Sequence, residues 1–197
     1  MKTRSLFSVM LLSTVLLVTS CKKTETVYTP ASPDSAPIST AFFVTTPATI
    51  TASGGGNYEY GCKFGVTKNG KVTKLACKMP TAGTYRVTLW EIGASTQTVI
   101  GQASITQAVN GALTYSTLST AANLTTGKDY LVSLWSSTNW YEIHPIGASD
   151  FTYPITQGNI QVKGYQWIGT AQTPITFPSN VATSYVAGLA DFEFQAD

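Results

Sequence analysis

The feature that most constrains the fold is the Asn69-Gly70 pair, which lies near the centre of the segment Tyr60 to Met79. An Asn-Gly pair favours the positive φ angles of a type I′ turn, whose twist suits two antiparallel strands. Folding the chain at this pair places the apolar side chains of both halves on one face, because strand side chains alternate. It also brings Cys62 directly opposite Cys77. The sequence therefore predicts a β-hairpin over this segment.

The pairing of Cys62 with Cys77 allows two interpretations. Residues at a hydrogen-bonded position of an antiparallel pair have Cα atoms about 5.5 Å apart, which is within disulfide range. Outside the cytoplasm we therefore expect a disulfide between the two cysteines. The alternative is two buried free thiols that pack as small apolar groups.

The start of the chain has the pattern of a targeting segment. It begins with basic residues and continues into a mostly apolar stretch, Leu6 to Val18, which is short for a membrane span. The stretch ends in Val-Thr-Ser before Cys21, which resembles the bacterial lipobox and implies cleavage before Cys21. We therefore expect a lipoprotein signal peptide over residues 1–20 and a lipidated Cys21 that anchors the protein in a membrane. The alternative is an ordinary secretory signal with an incidental cysteine.

The next segment, residues 21–40, is largely polar and contains three prolines. Such a composition cannot form a core, so we expect a flexible tether here. A single folded domain is expected over residues 41–197. The lipid anchor implies a location in the cell envelope at a bacterial membrane, with the outer membrane or the cell surface as the expected place.

Charge is sparse and balanced in the chain that cleavage would leave. The sequence has 12 basic and 10 acidic residues, and removal of Lys2 and Arg4 leaves ten of each. Without a basic patch, nucleic-acid binding is not expected. Short alternating segments recur between turn residues, and no long stretch has helical periodicity. This pattern predicts an all-β fold, an antiparallel β-sandwich of the jelly-roll or immunoglobulin-like type.

Individual strands can be placed within this sandwich. The clearest is Thr84 to Trp90, where Tyr85, Val87 and Leu89 alternate with polar residues and are expected to face the core. The other predicted strands are Ala41 to Ile50, residues 98–106, Ala112 to Leu118, Asn123 to Trp135, Tyr165 to Ile168 and Ser184 to Phe194, the last with Phe192 and Phe194 inward and Asp191 and Glu193 outward.

The segment before Trp135 also contains a recognisable corner. Leu124, Gly127 and Tyr130 fit the L-x-x-G-x-x-Y spacing of tyrosine corners. In such a corner a tyrosine hydroxyl bonds to the backbone a few residues upstream and fixes a sandwich crossover. Tyr130 is therefore predicted to be structural.

Three stretches carry a resemblance to a known family: YEYGCKFGVTKNGKVTKLACK, GTYRVTLWE and LTTGKDYLVSLWSSTNWY. They are similar to motifs of the domain-of-unknown-function family 4082, a family of bacterial extracellular domains, and the resemblance covers about residues 42–195. Cys77 stands where that family usually has an aromatic residue. The resemblance implies a β-sandwich, often attached to glycan-active or cell-surface bacterial proteins, and it implies no catalytic residue.

Catalytic chemistry has little support in the sequence. A Ser-His-Asp triad would have to use His144, the only histidine, with Asp150, and no G-x-S-x-G motif is present. The spacing of Glu142, His144 and Asp150 matches no zinc or EF-hand pattern. We therefore expect no enzyme activity, no metal and no cofactor, with a single structural Ca²⁺ as an alternative.

Aromatic residues late in the chain indicate a binding function instead. Flat aromatic faces stack on the C–H faces of sugar rings, and nearby polar side chains can bind hydroxyl groups. Trp140 is the best single candidate because it is predicted to lie in a loop, whereas Trp90 is predicted to be structural. The predicted ligand-binding residues are Trp135, Asn139, Trp140, Tyr141, Glu142 and Trp167.

Together these features predict a membrane-anchored bacterial envelope lipoprotein with a non-catalytic β-sandwich binding module, preferentially for carbohydrate. The alternative is a structural or protein-interaction lipoprotein, adhesin-like, that contacts an envelope protein. Exposed, coplanar rings in a groove would favour a sugar ligand. Rings buried against each other would favour the interaction role.

Overall fold

The computed structural model describes residues 32–45 and 48–197, so the predicted signal peptide and Cys21 lie outside the described residues. The described chain is built almost entirely of short β-strands. They are β1 (Asp34–Ser35), β2 (Ala48–Ser53), β3 (Tyr58–Val66), β4 (Gly70–Cys77), β5 (Gly83–Ile92), β6 (Gln97–Gln107), β7 (Thr114–Leu124), β8 (Asp129–Ser136), β9 (Trp140–Pro145), β10 (Ile155–Gln157), β11 (Ile160–Gly169), β12 (Asn180–Ala182), β13 (Val186–Ala187) and β14 (Ala190–Ala196), with a helix α1 (Pro37–Thr40) and a π-helical turn (Ala41–Thr45) near the start.

The strands form three antiparallel sheets. A seven-stranded sheet has the order β10-β11-β3-β8-β5-β6, with β12 paired to β11, and a four-stranded sheet has the order β1-β14-β4-β7. A small sheet, β13-β9-β2, lies beside them. The two larger sheets share one apolar core, in which Phe64 of β3 stacks on Phe192 of β14 with ring centroids 4.7 Å apart. The predicted all-β antiparallel sandwich is confirmed.

The predicted hairpin around Asn69-Gly70 is wrong. β3 pairs with β8 and β11, whereas β4 pairs with β7 and β14 in the other large sheet. The turn therefore crosses from one sheet to the other, and in the described chain neither Asn69 nor Gly70 has a positive φ. Gly70 is needed for space instead, because a Cβ there would lie 2.3 Å from the carbonyl oxygen of Gln195. Alternate residues face the core in a hairpin and in a crossover alike, so the predicted inward face is correct except near the turn, where a bulge buries Val72 instead of Thr73.

The predicted disulfide is wrong for the same reason. Cys62 pairs in register with Val132 and Tyr165, and Cys77 with Thr114 and Ala190, so the two residues are not cross-strand partners. Both are free and buried. Burial raises the pKa of both thiols, that of Cys77 to about 12. The alternative of two buried thiols is the one the structure has.

Other features of the predicted pattern are confirmed. Tyr85, Val87 and Leu89 of β5 are buried in the core. The tyrosine corner is present, since the hydroxyl of Tyr130 accepts a hydrogen bond of 2.8 Å from the backbone amide of Thr125. Phe192 and Phe194 are also buried, as expected for the inward face of the last strand.

The N-terminal part of the domain differs from the prediction. A strand is predicted over Ala41 to Ile50. The chain is instead helical from Pro37 to Thr45, and β2 begins only at Ala48. Ile38 and Phe42 are fully buried, and β1 pairs with β14. Residues 34–40, predicted as part of the tether, therefore pack on the domain.

A buried acid explains this packing. Asp191 lies on the outer face of the four-stranded sheet, as predicted, yet α1 covers it completely. Its carboxylate accepts hydrogen bonds from the backbone amides of Ile38 and Ser39, at 3.1 and 2.8 Å. The first turn of the helix thus obtains an acceptor from the last strand rather than from its own sequence.

The N-terminal segment joins the domain at one end of the sandwich, here called the turn end. The Asp34 carboxylate accepts hydrogen bonds of 3.1 and 2.9 Å from the backbone and side-chain nitrogens of Asn159. Asn159 in turn bonds through its carbonyl to the amide of Thr67, close to the Asn69-Gly70 turn. In the described chain no helix has the length and hydropathy needed to cross a membrane.

Candidate functional site

A cleft lined with aromatic rings opens where the seven-stranded sheet meets the three-stranded sheet. We call it the aromatic cleft, and it encloses about 120 Å³. It lies at the end of the sandwich where β3 begins, opposite the turn end. Its lining residues are Tyr58, Tyr60, Trp140, Glu142, Tyr165, Trp167, Tyr185 and Ala187.

Strand register brings these side chains together. Trp167 of β11 is the direct cross-strand partner of Tyr60 of β3, and Tyr58 lies two residues before Tyr60 on the same face. Trp140 and Glu142 of β9 are likewise two residues apart and share a face of the small sheet. Strands of two sheets therefore supply most of the walls, and Tyr185, just before β13, completes the lining.

The rings meet at steep angles. Tyr58 contacts Trp140 at a centroid distance of 5.3 Å and an interplanar angle of 76°, and it contacts Trp167 at 5.9 Å and 64°. Tyr60 and Trp140 are 5.9 Å apart and inclined by 56°. Such edge-to-face pairs enclose a hollow with several walls and do not form a flat platform.

The floor of the cleft is buried and its mouth is open. Tyr60 and Tyr165 are buried, and their hydroxyls have no hydrogen-bond partner of good geometry among the described residues. Burial raises the pKa of both phenols. Tyr58, Trp140 and Trp167 are only partly buried, so their rings are available at the mouth.

One charged side chain lines the aromatic cleft. Glu142 takes part in none of the ion pairs found in the described chain, and no lysine or arginine is among the lining residues. Burial, and then the nearby Glu142 carboxylate, raise the pKa of Tyr185 on the same cleft. The interior is therefore electronegative, since ring faces carry negative potential as well.

Comparison with known families identifies the domain that carries this cleft. The sequence model of the family described as "Domain of unknown function (DUF4082)" matches residues 44–187. The chain belongs to this family. The matched residues include the whole aromatic cleft, from Tyr58 to Ala187. No curated protein matches the chain.

Three of the six predicted ligand-binding residues meet in the cleft of this DUF4082 domain. They are Trp140, Glu142 and Trp167. Trp140 is the first residue of β9 and not part of a loop, because the stretch predicted to be irregular after Trp135 contains this strand. Its position is therefore fixed by pairing with Ser53 of β2.

The other three predicted residues lie elsewhere. Trp135 is on the outer face of β8, where its indole nitrogen donates a hydrogen bond of 3.1 Å to the carbonyl of Thr170. Tyr141 follows Trp140 and so faces the opposite side of β9, where its hydroxyl lies close to Gly111. Asn139 is exposed in the turn before β9, and its side-chain oxygen lies near Gly55.

Sequence reasoning missed four tyrosines of the cleft. Tyr165 could have been found, because it has the same parity as Trp167 on one strand. Tyr60 was assigned only to the core by the hairpin interpretation, and Tyr58 lies just before the segment which that interpretation covered. Tyr185 precedes β13 and has no local pattern that indicates its place.

A second polar cluster of the DUF4082 domain lies on the outer face of the seven-stranded sheet. Glu59 is fully buried there and pairs with Arg86, and its other oxygen accepts a hydrogen bond of 2.5 Å from Ser133. Burial raises the pKa of Glu59, although Ser133 and Arg86 oppose this. Trp90 donates to Ser133 at 2.9 Å, which agrees with its predicted structural role.

Two of the residues considered for catalysis or metal binding, His144 and Asp150, contact neighbouring residues just before β13. His144 lies near the carbonyl of Ser184, at 3.3 Å, while Asp150 accepts a hydrogen bond of 2.7 Å from Thr183. Within the described parts of the chain, no group of three or more His, Cys, Asp or Glu side chains could hold a metal ion.

Proposed function

We propose that the protein is a bacterial envelope lipoprotein, anchored through a lipidated Cys21, whose DUF4082 domain is a non-catalytic module that binds carbohydrate in the aromatic cleft. The observation that carries the proposal is the convergence of Tyr58, Trp140, Trp167 and Glu142 on one hollow. It combines aromatic area with a hydrogen-bond acceptor, which is what recognition of a sugar ring needs.

The placement of the cleft supports this role. The N-terminal segment joins the domain at the turn end, near Asp34 and Asn159. The cleft lies at the opposite end of β3, which has nine residues and so spans roughly 26 Å at about 3.3 Å per residue. A chain anchored through its N-terminal segment would therefore present the cleft away from the membrane.

The size and shape of the cleft limit the ligand. Its volume of about 120 Å³ is small beside the roughly 300 Å³ at the lower end of ligand pockets. The inclined rings also offer no extended platform. The expected ligand is therefore one sugar residue, at the end or on a branch of a glycan, inserted between the rings.

A glycan array probed with the full chain in detergent tests the proposal. We expect selective binding that Trp167→Ala abolishes, because this residue forms one wall of the cleft. Trp135→Ala is the matched control, since it removes the same side chain from a place outside the cleft. An empty array from a folded protein would contradict carbohydrate binding for the glycans tested.

A protein-interaction role is the second candidate. It is favoured by the packing of Tyr58 against both Trp140 and Trp167, since rings in mutual contact are typical of a packed surface. Cross-linking in whole cells, followed by identification of the linked envelope protein, tests this role. Fractionation of cells that express Cys21→Ala tests the anchor, and we expect the variant to leave the membrane fraction.

A further inference from the structure

Among the residues that line the aromatic cleft, Glu142 carries a negative charge and none carries a positive charge. Glu142 is partly buried and has no ion-pair partner in the described chain, and the remaining lining residues are Ala187 and six aromatic side chains, which come from three strands and the segment before β13. A carboxylate held against apolar rings is partly desolvated, which has a cost unless an opposite charge or a hydrogen-bond donor approaches it. The missing partner would have to come from the ligand.

The aromatic rings favour the same kind of ligand. A cation is attracted to the face of Trp or Tyr within about 6 Å of the ring centroid. The centroids of Tyr58 and Trp140 are 5.3 Å apart, so one cation at the mouth can lie within that range of both. Trp167, 5.9 Å from Tyr58, adds a third wall. Several inclined rings around a small hollow form a cage of the type that binds organic ammonium groups.

We propose that the aromatic cleft recognises a protonated amine, and that its ligand is a cationic amino sugar with a free amino group. The inference rests on the proposed function, because it takes the cleft as a sugar site. The ammonium group binds among Tyr58, Trp140 and Trp167, with Glu142 as its counter-charge. The sugar ring continues toward the open mouth.

Other sugars fit less well. A uronic acid would bring a second carboxylate beside Glu142, and the two like charges would repel each other. A neutral or N-acetylated sugar would cover Glu142 without neutralising it, so the carboxylate would lose water and gain no counter-charge. Discrimination therefore depends on the charge of the nitrogen substituent and not on the ring.

Titration calorimetry on the full chain in detergent, at mildly acidic pH, tests this inference. The two probes are a glucosamine oligosaccharide and an N-acetylglucosamine oligosaccharide of the same length, which differ in charge and share the ring. We expect the glucosamine form to bind at least about tenfold more tightly, which corresponds to about 1.4 kcal/mol. Tetramethylammonium should compete with it, because the cage binds the cation itself.

Two carboxylate variants distinguish binding in the cleft from non-specific electrostatic attraction of the cationic ligand to the protein. Glu142→Gln keeps the shape and removes the charge, so we expect it to reduce the preference for the glucosamine form to about equality. Glu91→Gln is the matched control, because Glu91 lies on β5 at the turn end, paired with Lys128. It should leave the preference unchanged.

The outcomes distinguish the two proposals. Equal binding of both oligosaccharides, or a preference that survives in Glu142→Gln, would overturn the amino-sugar inference and leave carbohydrate binding in place. Failure of both oligosaccharides and of every glycan on the array would overturn the proposed function together with the inference. Loss of the preference in Glu91→Gln would show that the attraction does not arise in the cleft.

Discussion

The carboxylate of Asp191 accepts a hydrogen bond of 2.8 Å from the backbone amide of Ser39, a residue 152 positions earlier in the sequence. The contact fixes the N-terminal segment to the last strand and leaves Asp191 fully buried. Burial raises the pKa of Asp191 to about 6, although the hydrogen bonds from Ser39 and Ile38 favour the carboxylate. The attachment of the N-terminal segment is thereby linked to pH.

Asp191 is expected to make the domain more stable as the pH falls below neutral. The folded chain binds the Asp191 proton near pH 6, whereas the unfolded chain binds it near the ordinary value of 3.8. The resulting stability is fully present below the unfolded pKa and is lost as the pH rises through the folded pKa. The difference in unfolding free energy between wild type and Asp191→Asn should grow by roughly 2–3 kcal/mol from about pH 7 to about pH 4. Urea unfolding of both proteins at both pH values measures this difference. A difference that is the same at the two pH values would contradict the prediction.

Cys62 and Cys77 are expected to stay reduced in the native protein. Burial raises the pKa of both thiols, so little reactive thiolate is present and reagents have little access. We expect neither residue to react with a thiol reagent before unfolding and both to react in denaturant without prior reduction. Peptide mass spectrometry of the labelled protein checks this. Labelling that requires a reductant would indicate a disulfide.

The hairpin and the disulfide show what the sequence could and could not predict. The alternation of side chains gave the correct inward face for β3 and for Leu75 and Cys77 of β4, because that pattern depends on which residues meet the core. It could not predict the bulge between Val72 and Lys74, which turns Val72 inward instead of Thr73. The pairing partners of Cys62 and Cys77 depend instead on strands far along the chain. An Asn-Gly pair indicates a turn, but it does not determine whether the next strand stays in the same sheet.

The candidate site was predictable to a similar degree. The clustering of aromatic residues late in the chain was sufficient to select Trp140 and Trp167, which meet in the aromatic cleft. The sequence could not exclude Trp135. This side chain lies on the outer face of β8 and is bonded to Thr170, a residue after β11 that only the tertiary fold brings near. The helical start of the domain was missed because the acceptor for Ser39 comes from Asp191.

The tyrosine corner provides a matched pair of substitutions. The hydroxyl of Tyr130 bonds to the amide of Thr125, whereas the equally buried hydroxyl of Tyr165 has no partner of good geometry in the described structure. Tyr130→Phe should therefore cost about 1 kcal/mol of unfolding free energy, and Tyr165→Phe should be neutral or slightly stabilising. Denaturant unfolding of the two variants measures the contrast. Equal losses would mean that the corner hydrogen bond contributes nothing specific.

The buried ion pair between Arg86 and Glu59 is expected to be the most sensitive polar contact of the domain. Arg86→Met leaves Glu59 fully buried without a counter-charge, and breaking such a pair costs on the order of 3–5 kcal/mol.

Lys128→Met is the control, because the ion pair of Lys128 with Glu91 is exposed. It should leave the unfolding midpoint almost unchanged. Adding Glu59→Gln to Arg86→Met removes the unpaired charge and should recover part of the loss, which a double-mutant cycle by denaturant unfolding measures. If the double variant were as unstable as the sum of the single variants, the stability of this face would come from packing over the sheet and not from the pairing of the two charges.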